Sequence, residues 1–164
     1  AANIIPQIAA DALGDIGDIH AIPALIQTLK HDFTEVRSSA AHSLSRLGWE
    51  PETDEQRVSY SLAGQDWDAC VELGASATGM IEALIRIIDQ EHDLMWTSTD
   101  LADVFGGDTF NRWERHVCCP AIRSLGEIGD PKAIPFIEPH VHANTNAAKR
   151  TAKEALEKLG HEVE

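Results

Sequence analysis

Apolar residues recur along this chain at helical spacing, in blocks that each close on a glycine. Four segments show the pattern: IAADALGDIGD (8–18), SAAHSLSRLGW (39–49), PAIRSLGEIGD (120–130) and TAKEALEKLGH (151–161). In each, an alanine (Ala9, Ala40, Ala121 or Ala152) precedes a leucine by four positions, which puts both on one face of a helix. Small side chains there let a neighbouring helix approach closely. The closing glycine suits a helix C-cap. Leu13 to Leu44 is 31 residues, Leu125 to Leu156 is again 31, and the pairs Ile16–Leu47 and Ile128–Leu159 keep the same step.

A second pattern follows the first. GDIHAIPALIQTL (17–29) matches GDPKAIPFIEPHV (129–141) at an offset of 112 residues. Asp18 and Asp130 are placed to cap the next helix at its N-terminus. Pro131 fits a first helical turn, where a missing N–H costs little. Pro23 and Pro135 fall four residues further on and are expected to bend that helix. A weaker copy is GASATGMIEAL (74–84), where Met80, Ile81 and Leu84 stand for Leu25, Ile26 and Leu29. Each unit therefore reads as helix A, a short polar turn, helix B and a glycine. Neither helix buries its apolar stripe alone, and stacked units cover the stripes in one continuous core.

The expected fold class is all-α: a right-handed α-solenoid of stacked helix pairs, with two helical insertions. The expected organisation is a single domain over 1–164. It comprises a half repeat (1–17), a repeat (18–48), an insertion (49–73), a repeat with an inserted loop (74–129, loop about 90–116), and a last repeat with a polar cap (130–164). The insertions show as excess spacing. Leu25 to Met80 is 55 residues and Met80 to Ile137 is 57, against a period of 31.

In the first insertion, Thr53 and the acidic residues after it predict a short helix from near Asp54, ended by Gly64. Asp66 then caps a turn through Trp67, Cys70 and Leu73. The aromatic residues here read as packing anchors. The second insertion carries Trp96, Phe105, Phe110 and Trp113 around a Gly106–Gly107 break. Long loops in compact domains are usually functional or flexible, and aromatic residues dominate interface energetics. A helical lid with a local core and a partner-contact surface both fit this stretch.

The strings ALGDIGDIHAIPALIQTL and AIRSLGEIGDPKAIPFIEP resemble HEAT-like repeats, in particular the short class named after phycobilisome lyases. The resemblance implies an α-solenoid whose B helices line a concave face. It is unspecific for function, because the class includes scaffolds, adaptors and chromophore lyases. It also implies an arginine at the start of helix B that pairs with an aspartate in the turn. Arg37 holds that place in the second unit, whereas the third unit has Cys118. The opening W-x-P of the first insertion resembles an extra helical element seen in this class. Helical repeat proteins that hydroxylate deoxyhypusine hold iron with His-Glu pairs in successive helices. Here only His161-Glu162 occurs, past the last glycine.

Charge narrows the partners. The 164 residues include 27 acidic and 13 basic side chains, a formal net charge of −14. That balance disfavours nucleic acid and anionic membranes, which attract Lys and Arg, and favours a basic protein or peptide. Three cysteines, two of them adjacent, make a poor disulfide framework and suggest a reducing cytoplasm.

Candidate chemistry is thin. His116-Val117-Cys118-Cys119 offers nitrogen and sulfur ligands but matches no C-x2-C zinc pattern. Adjacent cysteines on a helix point about 100° apart. His140 and His142 form at best a weak pair at a helix end. No nucleophile elbow, phosphate loop or Gly-x-Gly-x-x-Gly run is present. No catalytic residue, metal or cofactor is therefore expected. The favoured function is a non-enzymatic protein-interaction or scaffold module. On the family analogy Ser38, His42, Ser45, Arg123 and Lys153 line its helical face, joined by Trp96, Phe105 and Trp113 from the insertion. The alternatives are a bilin-lyase-like protein that holds a chromophore or its acceptor subunit, and a self-assembling piece that buries the apolar residues Ile4, Ile5 and Ile8.

Overall fold

The computed structural model describes residues 4–74, 76–77, 79–97, 117–143 and 145–162. All the regular elements among them are helical. They fall into two compact units, Ala1–Asp66 and Trp67–Glu164. The first unit contains α1 (Ile4–Ile16), α2 (Ile22–Thr28), α3 (Thr34–Arg46) and α4 (Asp54–Ala63). The second contains α5 (Trp67–Gly74), α6 (Met80–Thr97), α7 (Cys119–Ile128), α8 (Ile134–Ile137) and α9 (Asn146–Lys158). The fold is of the all-α solenoid class, with α1, α3, α7 and α9 as B helices.

The glycine signal marks helix ends as the pattern predicts. Gly17, Gly48, Gly129 and Gly160 all take left-handed φ, between 69° and 80°. At Gly48 the reason is visible in the hydrogen bonds. Gly48 N donates to Ser45 O (3.0 Å) and Trp49 N to Leu44 O (3.0 Å), which satisfies carbonyls that the ending helix leaves unpaired. Gly160 and His161 repeat the arrangement on Glu157 and Leu156, at 3.0 and 2.9 Å.

The start of helix A differs from expectation. Asp18 and Asp130 do cap it, each accepting from the backbone N–H two residues on, His20 and Lys132, at 2.9 Å. The helix they cap is a 3-10 turn, Ile19–Ala21 in one unit and Pro131–Ala133 in the other. Pro23 and Pro135 do not bend a continuous α-helix. Each lies at the first turn of the α-segment that follows the 3-10 turn, where its missing N–H has no α-helical partner to lose. In the last unit Pro139 adds a third break. α8 spans four residues and passes into a second 3-10 segment, Glu138–His142.

Each unit buries its repeat leucines. In the first unit the core is Leu25, Leu29, Ala40, Ala41 and Leu44, with Trp49 and Tyr60 packed against it. Those two rings meet edge to face at 5.5 Å, so the aromatic residues at the start of the insertion are packing anchors there. α4 carries the capping box that Thr53 implied: Thr53 Oγ1 accepts from Gln56 N, and Gln56 Oε1 accepts from Thr53 N. In the second unit Leu125 and Leu156 are fully buried, as are Met80 and Leu84, the counterparts of Leu25 and Leu29. Cys118 is also buried, in place of the charged Arg37. Arg37 itself donates to the carbonyls of His31 (2.7 Å) and Asp32 (2.9 Å) and so ties down the turn ahead of α3.

Candidate protein-binding faces

The B helices pack in sequence order, α1 on α3 and α7 on α9. The approach is close because glycine meets a small residue. A Cβ on Gly14 would stand 2.4 Å from Ser43 Oγ and 2.6 Å from its Cβ. Ser43 Oγ donates to Ala10 O at 2.9 Å, which fixes the spacing. One offset of 112 residues further on, a Cβ on Gly126 would stand 2.8 Å from Ala155 Cα and 2.9 Å from its Cβ. The same small-residue seat therefore occurs in both units.

A charge pair accompanies each seat. Arg46 Nη1 donates to Asp15 Oδ1 at 2.5 Å, and Lys158 Nζ donates to Glu127 Oε1. In both pairs the partners are separated by 31 residues, the repeat period. The acid ends one B helix and the base ends the next, so the helices run parallel. Both pairs are solvent-exposed, and each contributes at most about 1 kcal/mol. The pairs report register more than they confer strength.

Two family models match the chain. One, described as HEAT repeats, covers residues 3–63, and the other, described as PBS lyase HEAT-like repeat, covers residues 121–140. This is a HEAT-like repeat protein. HEAT repeats generally mediate protein–protein interaction or scaffolding. No curated protein matches the sequence.

In this HEAT-like repeat protein the stacking leaves one polar face of each B helix outside the core. On α3 that face carries His42 and Ser45, both exposed, and the half-buried Ser38, at helical spacing. Arg123 on α7 is exposed and sits at the place equivalent to His42. Lys153 on α9 is exposed too, but its place is that of Ala10, Ala41 and Ile122, which are buried. The structure thus groups Ser38, His42 and Ser45 on one element, and places Arg123 and Lys153 in the other unit. Trp96 lies in the last turn of α6, and its side chain is outside the description. Phe105 and Trp113 lie outside the described residues. α6 runs to Thr97, so the backbone of residues 90–97, expected within the inserted loop, continues helix A.

Among the described residues no group of three or more His, Cys, Asp or Glu side chains could hold a metal ion. His140 and His142 flank the buried Val141 in the 3-10 segment before α9. His161 is engaged locally, with Nε2 2.8 Å from Glu138 Oε1. No described helix is long and apolar enough to cross a membrane.

The helical pattern points to the alanines as the places where consecutive B helices approach, whereas the closest approaches fall on Gly14 and Gly126. A signal was present: ALGDIGD and SLGEIGD each hold a glycine one turn before the cap glycine. Such a residue is costly inside a helix unless a neighbour needs the space.

Proposed function

We propose that this chain is a non-enzymatic protein-binding module. The observation that carries this reading is the polar face Ser38–His42–Ser45, presented on a helix whose opposite side is locked into the core by Val36, Ala40 and Leu44. A rigid helix with an exposed polar face binds a peptide or helix by complementarity and needs no reacting group. Arg123 and Lys153 offer further contact positions in the second unit, with Trp96, Phe105 and Trp113 from the insertion. A net charge of −14 selects a basic partner, and its field accelerates encounter. The odd cysteine count fits a cytoplasmic setting. The test is quantitative affinity capture from the source cell with the native chain, with Ser38→Arg/His42→Glu/Ser45→Arg, and with Trp96→Ala/Phe105→Ala. Loss of a specific captured protein by either variant, with the melting curve unchanged, supports the reading. An identical set of captured proteins from all three contradicts it.

The match of residues 121–140 to the PBS lyase class favours one second reading, a protein that holds a bilin or its acceptor subunit. Basic anchors for the propionates are few, with 13 Lys and Arg in the whole chain. A shifted absorption band on mixing the chain with free bilin would support that reading, and an unchanged spectrum removes it.

A further inference from the structure

We draw no further inference here: the strongest candidate, the exposed apolar side of α1 formed by Ile5, Ile8 and Ile16, carries none, because nothing in the structure shows what covers it.

Discussion

At Gly14 and Gly126 a hydrogen atom is what allows consecutive B helices to touch. Alanine is the better helix former by about 1 kcal/mol, yet at Gly126 its Cβ would fall 2.8 Å from the Ala155 backbone. Overpacking of that kind costs about 1–3 kcal/mol, and a backbone atom yields less than a side chain. Gly126→Ala is therefore expected to lower the urea midpoint. Gly14→Ala meets the Ser43 side chain instead, so Ser43→Gly should recover part of its loss, giving a non-additive cycle. A second residue-scale prediction concerns Gln65, the described non-glycine residue with positive φ, at 56°. It follows Gly64 as the left-handed residue after α4, and Asp66 N donates to Ser61 O at 2.9 Å, as Trp49 does to Leu44. Gln65→Gly removes the Cβ penalty and should stabilise the first unit by about 1 kcal/mol in thermal or urea melts.

The elements were legible wherever local chemistry decided them. Thr53 followed by Gln56 announced α4, and Thr53→Ala should cost about 1 kcal/mol. The left-handed glycines fixed the ends of α3 and α9. The 3-10 turns were hidden, because prolines four residues apart are equally compatible with a bent α-helix. The distinction depends on which carbonyls lack a donor, and that follows from the fold. α4 is also tied to the end of α2 by Lys30 Nζ, which donates to Glu55 Oε1. This hydrogen bond and the lysine charge hold the Glu55 carboxyl below its ordinary range. The folded form therefore binds that proton less readily than the unfolded chain. The stability it adds is present above the unfolded glutamate range and is lost as pH falls through the depressed folded value. Glu55→Gln should flatten the acid limb of the stability curve. The group is fully exposed and the effect small, so it is best read as a difference between the two proteins across the acid range.

For the whole molecule, the period of 31 residues pointed to the fold class, because identical amphipathic pairs repeated at a fixed step bury their stripes by stacking on their neighbours. The site was less legible. Ser38, His42 and Ser45 do share a face, since helical spacing alone settles that. Lys153 sits on a forward side that is covered in α1, α3 and α7, a distinction visible only once the contacts between helices are known. Gly14, Gly126 and the two charge pairs were missed because each needs its partner one period away to become meaningful. The net charge of −14 carries its own prediction. Association with a basic partner should slow as ionic strength rises, over the range where the screening length drops from about 10 Å at 0.1 M to about 3 Å at 1 M. Stopped-flow mixing at several salt concentrations measures it. The claim that this repeat protein acts by binding another protein rests most directly on α3. The deciding measurement is quantitative affinity capture with the native chain and with Ser38→Arg/His42→Glu/Ser45→Arg, after both have been shown to melt alike. The account predicts that at least one abundant captured protein disappears with the variant, whereas an unchanged set would contradict it.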